Sequence, residues 1–429
     1  MKRFLLLLVL AVLATSAALR AQRVTLDECR AAARRNYPTA ARHDLIRQTS
    51  EMTQANIAKG WLPQVSATAQ GTAQSAVATL PDGLSTMLAS QGYSARGISR
   101  FQYRAGLDVQ QTVYDGGRIR AASDVERGAA VLEGASLDAD LYAVEERAEQ
   151  LFFGALLLDE RLRIGTERIA LAADNLRKLR AMLQGGTAAQ CDVAAMEAEL
   201  IAARQDSLSL ACDRDRVLRT LALLCGFDEM PQTLVRPTLS DIGQAGTRPE
   251  LRVIDARLSL LDARRRQYDS ALRPTLSLFG QGWYGYTGFD MFHDMMHRTP
   301  TLNGLAGVRL SWNITPLYTR RQDLATLRLQ RQEAETARET FLLNQRIAAT
   351  EQQASLAKWQ RLIAQDADIV RLRTEVRTAA EARLAGGTVD VNGLVQELTR
   401  ERLAKDTRAL HEIQLLQEAC ALRHTAWDE

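Results

Sequence analysis

Two stretches of this chain are long enough, and free enough of helix breakers, to dominate any fold it adopts. Arg118 to Leu183 is 66 residues without a proline, and Thr319 to Leu384, of equal length, has neither proline nor glycine. At about 1.5 Å per residue each predicts a helix reaching roughly 100 Å, several times the thickness of a membrane. In the second run Leu327, Ala334, Phe341, Ala348, Leu362, Ile369 and Val376 keep a seven-residue spacing, with Ser355 as the exception. A sustained heptad predicts helices coiled about one another rather than a globular bundle. Nine prolines and 5% aromatics in 429 residues, with Ala, Leu, Arg, Gln and Glu dominant, suit that reading.

Both runs stop at the same tripeptide: Gly185-Gly186-Thr187, and 201 residues later Gly386-Gly387-Thr388. Glycine just past a helix end takes the left-handed conformation at little steric cost, so each triplet predicts a reversal into a returning helix. Thr187 is expected to cap the first returning helix, with Gln190 in the capping-box position. The second copy has Val391 there, which weakens a cap by Thr388 and leaves Asp390 as the alternative.

The shared triplet belongs to a wider duplication. Tyr37-Pro38 recurs as Arg248-Pro249, and Pro63 of "WLPQVSA" recurs as Pro274 of "LRPTLSL", both at an offset of 211. Ala105-Gly106-Leu107 matches Ala306-Gly307-Val308 at the offset of 201, so the first copy carries ten extra residues before this point. The expected organisation is a first repeat at 22–226, a linker at 227–247 marked by Pro231, Pro237 and Gly243, and a second repeat at 248–429. Within each repeat the hydrophobic period changes to two. Val65, Ala67, Ala69, Gly71 and Ala73 alternate with polar residues, as do Tyr103, Ala105, Leu107, Val109 and Val113. The second copy alternates at Ala306, Val308, Leu310, Trp312 and Ile314; the run after Pro274 is irregular, with Phe279 and Trp283 opposite Leu276 and Leu278. Each run is about ten residues, enough to cross a bilayer as a tilted strand. Four strands do not close a barrel, and lipid tolerates no open edge, so several chains must combine.

The opening segment MKRFLLLLVLAVLATSAALRAQ has a positive start and an apolar run too short to span. It reads as a secretory signal peptide over 1–21, with cleavage after Ala18 or Ala21. Cys29 follows two acidic residues, which argues against a lipid-attachment site. The five cysteines match no metal motif and cannot all pair within one chain; most read as small buried apolar residues, and no pair is singled out. The net charge of +3 and the lack of a Lys/Arg block exclude nucleic acid as a partner. No catalytic constellation stands at an interpretable spacing, so no enzyme and no cofactor is expected. His43, His411 and His424 lie in helical runs and read as surface or packing residues.

Several of these segments resemble the TolC-type outer-membrane efflux proteins. They are "VTLDECRAAARRNYP", "LPQVSA", "VYDGGRIRA" from Val113 to Ala121, "LQGGTAAQCDV" from Leu183 to Val193, and "LCGF" before the linker. The resemblance covers nearly the whole mature length and implies a mainly α fold with transmembrane β. In it four strands per chain enter a trimeric 12-stranded barrel, continued by a long α-helical coiled-coil barrel. It implies a passive exit duct of a tripartite efflux or secretion system in the outer membrane of a Gram-negative bacterium, reaching into the periplasm. The partners implied are two further copies, outer-membrane lipid, a periplasmic adaptor and an inner-membrane transporter of RND or ABC type. The adaptor would dock at the tips, Gly185, Gly186, Thr187, Asp192 and Val193 with Gly386, Gly387 and Thr388. Gly393 stands where the first copy has Asp192, which weakens that contact in the second. The alternative reading, a periplasmic coiled-coil adaptor or scaffold, lacks a place for the two strand pairs.

Three further groups carry expectations. Asp115, Gly116 and Gly117 make a strand-to-helix junction rather than a phosphate loop, since the full glycine pattern and its Lys-Ser/Thr ending are missing. The second copy has no Gly-Gly there; Thr315 and Pro316 are expected to make the bend as N-cap and first helical residue. Arg373, Arg377 and Glu381 precede the second turn, and either project into the aperture, pair across helices, or form a solvated face. His293 and His297, four apart among methionines, are weak candidates for a soft metal ion against a plain loop between strands.

Overall fold

Pro63 and Pro274 mark where helix gives way to strand. The residue before a proline is pushed out of the helical region, and Leu62 is extended at φ −79° and ψ 155°. The computed structural model describes residues 23–93, 97–240 and 248–425. The expected signal peptide and residues 241–247 of the expected linker lie outside these. The chain divides into two units, one drawn from Met1–His43, Ala135–Val253 and Thr336–Glu429, the other from Asp44–Gly134 and Ile254–Glu335.

The second unit is organised by an antiparallel sheet. Its strands are β2 (Gln64–Ala73), β3 (Phe101–Tyr114), β5 (Thr275–Tyr286) and β6 (Thr301–Ser311), in the order β2-β3-β5-β6. The register sets Val65 opposite Val109, Leu107 opposite Gly282, Leu278 opposite Val308 and Leu276 opposite Leu310. Because side chains alternate between faces, this pairing gathers one apolar face across all four strands. That face is exposed: Leu310 is 70% accessible and Val109 38%. Phe101, Tyr103 and Tyr284 sit at its loop end and Tyr114 at the other, the positions an aromatic girdle takes in a membrane barrel.

The other face is polar, and it explains the irregular β5. Asp108 accepts from Gln281 Nε2 at 2.6 Å and from Thr68 Oγ1 at 3.0 Å. Trp283 stands on this face opposite Gly106, with the Arg104 guanidinium 5.9 Å from its ring centre. A Cβ at Gly106 would meet Trp283 Cβ at 2.6 Å, so only glycine fits. Phe279 faces Gly307, with Arg309 4.6 Å above the ring. Contrary to the alternation expected through Ile314, β6 ends at Ser311; Asn313 and Pro316 already turn the chain.

The strands are joined by connections that carry α3 (Asp82–Ser90) and α7 (Met291–His297). The second was expected as a plain loop. Asp290 caps it, its Oδ1 accepting from His293 N at 2.9 Å, and that cap makes the helix. Helices α2 (Arg42–Ala58) and α6 (Pro249–Ala271) lead into the two strand pairs.

The first unit is helical apart from a two-residue parallel pairing of β1 (Arg23–Val24) with β4 (Thr233–Leu234). It holds α1 (Leu26–Asn36), α5 (Gln190–Cys225), α9 (Val391–Thr425) and most of α4 (Arg118–Gln184) and α8 (Pro316–Ala385). One apolar core surrounds α1 and packs Cys29 with Phe152, Phe153, Leu221, Leu416 and Cys420. A second lies at the hairpin ends, where Leu179, Val193 and Met196 meet Leu384, Val391 and Leu394. The heptad of α8 is not buried evenly: Leu327 and Ala334 are covered, while Ile369 and Val376, with Leu372 between them, are exposed. Among the described residues no helix is long and apolar enough to cross a membrane.

Candidate functional site: the hairpin tips and the pairs behind them

Both turns close in the same way. Gly186 takes φ +76° and donates to Leu183 O at 3.0 Å, while Thr187 N donates to Met182 O at 2.9 Å. In the second copy Gly387 takes φ +74° and donates to Leu384 O at 3.0 Å, and Thr388 N donates to Arg383 O at 2.9 Å. These paired bonds satisfy the last helix carbonyls and require positive φ only at the second glycine. A Cβ at Gly185 would find Ala181 O and Met182 O at 3.6 Å, an ordinary contact. The first glycine is therefore not demanded by the turn.

The expected cap by Thr187 is corrected. Its hydroxyl turns back and donates to Met182 O at 3.1 Å, and Thr388 does the same to Arg383 O at 3.1 Å. Both threonines finish the outgoing helix, because α5 and α9 begin only at Gln190 and Val391. Asp192 serves the start of α5, its Oδ2 accepting from Ala189 N at 3.1 Å. In the second copy Asp390 caps, with Oδ1 accepting from Gly393 N at 2.9 Å. Gly185, Gly186, Thr187, Gly386, Gly387 and Thr388 are exposed. Val193 is not: it lies in the apolar core of the tips and presents no surface.

Behind the second turn the aperture candidates are drawn together. Arg377 Nη1 lies 2.8 Å from Glu381 Oε1, and its Nε lies 2.6 Å from Glu401 Oε2 on α9. The Nε contact is an ion pair whose N–H points off the line of a hydrogen bond. Glu401 also accepts from Thr374 Oγ1 at 2.8 Å and faces Lys405 at 3.3 Å. Asn175 Nδ2 on α4 donates to Glu381 at 3.2 Å, and Arg373 stands 3.6 Å from Glu397. Within one chain these residues pair across three helices.

At the first junction Asp115 uses both carboxylate oxygens, accepting from Gly117 N at 2.8 Å and Ile119 N at 2.6 Å. The donors a phosphate would need are thus occupied. A Cβ at Gly116 would lie 2.7 Å from Arg273 Cβ. At the second, Pro316 is the first residue of α8, and the turn is held by Asn313 Oδ1 accepting from Thr315 N at 3.1 Å. His293 and His297 lie with ring centres 4.6 Å apart and their planes tilted by 43°. No group of three or more residues able to hold a metal ion occurs among the described residues.

The histidines read as packing or surface residues prove to be partners of carboxylates. His424 Nε2 is 2.8 Å from Glu149 Oε1, His411 Nδ1 is 2.6 Å from Asp366 Oδ2, and Tyr142 OH bonds to His424 Nδ1. Arg30 Nε joins Glu149 at 2.5 Å. Burial pushes the Glu149 carboxyl up, but the bonds from His424 and Arg30 outweigh it and hold the group below its ordinary value. Nothing local in the sequence signals this cluster, whose members come from three distant segments.

The family described as Outer membrane efflux protein matches residues 30–226. No curated protein matches the sequence. Among solved structures, the outer-membrane channel OprN shares 16% identity over 93% of this chain and 89% of its own, with a TM-score of 0.66. The open state of the Neisseria gonorrhoeae MtrE outer membrane channel shares 14% over 93% and 88%, at 0.66. The Campylobacter jejuni CmeC outer membrane channel shares 13% over 92% and 84%, at 0.64. At such identities the likeness is one of fold, and it takes in both halves of the chain. The family is one of channels rather than enzymes. Residues 30–226 thus match the outer membrane efflux protein family, and the chain as a whole shares the fold of solved outer-membrane channels.

Proposed function

We propose that three copies of this chain close one 12-stranded barrel and one helical tunnel, forming a passive exit duct. The observation that carries this is the four-stranded sheet with an exposed apolar face and two edge strands, β2 and β6. In lipid both edges must be paired, and joining β6 of one copy to β2 of the next satisfies them. The exposed stripe of Ile369, Leu372 and Val376 would then be covered by a neighbouring copy. The halves 22–226 and 248–429 act as two copies of one unit, so that a trimer presents six similar hairpins.

In this reading the exposed tips, Gly185 to Thr187 and Gly386 to Thr388, dock a periplasmic adaptor, which passes cargo from an RND- or ABC-type inner-membrane transporter. Arg377, Glu381 and Glu401 hold the hairpins together just behind that contact. The chain itself catalyses nothing. Outer-membrane fractions run unheated on a gel should give a trimer that dissociates on boiling, and the trimer should conduct ions in planar bilayers. Recovery as a soluble, non-conducting monomer would overturn the proposal.

A further inference from the structure

We propose that Cys29 and Cys225 are joined by a disulfide in the exported protein, tying α1 to the end of α5. Cys29 lies on α1 and is 0% exposed; Cys225 is the last residue of α5 and is 4% exposed. Both lie in the same apolar core, and Cys225 Sγ lies 3.5 Å from Cys29 O, donating to it.

The surroundings fix this approach independently of the sulfurs. Asn36, at the end of α1, donates from Nδ2 to Leu223 O at 3.3 Å and Leu224 O at 3.2 Å. Gly226 ends α5 at φ +69°, and a Cβ there would lie 2.4 Å from the Asn36 side chain. The last carbonyls of α5 are thus held by α1, and both cysteines are buried in the core beside the same contact. The other three cysteines are placed differently. Cys191 and Cys212 are exposed, and Cys420, though buried in the same core, lies beside Arg30.

In the structure all five are thiols. Exchange needs a thiolate, and both the neighbouring Cys225 thiol and burial push the Cys29 thiol up once the core has closed. The bond therefore forms during folding, while the chain is still open. One thiolate attacks the active-site disulfide of a periplasmic dithiol–disulfide oxidoreductase, giving a mixed disulfide. The second thiolate attacks the chain's own sulfur in that intermediate. The S–S bond forms, and the oxidoreductase leaves as a dithiol carrying the two electrons and two protons. The cysteines are 196 residues apart, so the bridge encloses almost the whole first half of the chain. The plain alternative is a pair of reduced cysteines acting as small apolar fillers.

Protein purified from the outer-membrane fraction is unfolded in guanidinium with N-ethylmaleimide, with and without prior reduction, and weighed intact. The proposal expects three adducts without reduction and five after it, and a tryptic map in which the Cys29 peptide is linked to the Cys225 peptide. A Cys420→Ala chain should give two and four. Five adducts on unreduced wild-type protein, or a bridge that includes Cys420, Cys191 or Cys212, would overturn it. If the Cys420→Ala chain fails to reach the membrane, the wild-type peptide map decides alone.

Discussion

Arg377 Nε stands 2.6 Å from Glu401 Oε2, joining α8 to α9, and Glu401 is only 3% exposed. Removing one partner of a buried ion pair typically costs about 3–5 kcal/mol, because the other charge is left uncompensated. Lys405 and Thr374 remain beside Glu401, so the low end applies to Arg377→Ala. The variant should show faster amide exchange in α8 and α9 near the tips, and a raised single-channel conductance. Arg371→Ala, whose ion pairs to Asp368 and Glu375 are exposed, should change neither. A wild-type conductance for Arg377→Ala would remove this residue from the closure of the duct.

The apolar face of the sheet makes a second prediction. Val109→Arg and Leu310→Arg each place a charge where the barrel meets lipid, at about 2–4 kcal/mol near the midplane. Thr68→Arg lies on the polar face beside Asp108 and should assemble. Trimer yield on unheated gels measures all three. Wild-type yields for Val109→Arg and Leu310→Arg with loss for Thr68→Arg would mean that the two faces have been exchanged.

How much of this was readable in the sequence depended on whether the signal was local. The runs Arg118–Leu183 and Thr319–Leu384 differ from α4 and α8 by a residue or a few at their ends, since helix length needs only the absence of breakers. The clean alternation of Val65 to Ala73 became β2. β5 was obscure because Trp283 and Phe279 lie against glycines on neighbouring strands and beneath arginines, a fit that period counting does not detect. Thr187 was assigned to the wrong helix, because one hydroxyl can serve either end of a tight turn and only the start of α5 at Gln190 decides. The Glu149–His424 contact spans 275 residues, and no spacing rule reaches that far.

Acid should weaken the core around α1. Glu149 has its carboxyl held below the ordinary 4.5 in the folded chain. A lowered folded value contributes stability that is complete above about pH 4.5 and is lost as pH falls through the folded value. Glu149→Gln removes that contribution and leaves Arg30 without its buried charge partner. The melting temperature of the variant should therefore lie below wild type at pH 7, and the gap should narrow steadily below pH 4. A gap that stays constant to pH 3 would show that folding does not hold the Glu149 carboxyl below its ordinary value.

The tips separate turn from docking. Gly186 and Gly387 are required by their positive φ, so changing them confounds strain with lost contact. Gly185 is not, since a Cβ there makes only ordinary contacts; Gly185→Ala should fold as wild type and test close approach alone. Thr187→Arg and Thr388→Arg go further. Each loses one hydroxyl bond to the outgoing helix, worth about 1 kcal/mol, and sets a large cation on an exposed turn. Asp192 and Asp390 still serve the starts of the returning helices, so the hairpins should keep their form. The double variant is expected to reach the outer membrane as a trimer with wild-type yield and conductance. Export should fail, and crosslinking to the periplasmic adaptor should drop at least tenfold. Export at the wild-type level by that double variant would leave the glycines with their turns and place the docking surface elsewhere.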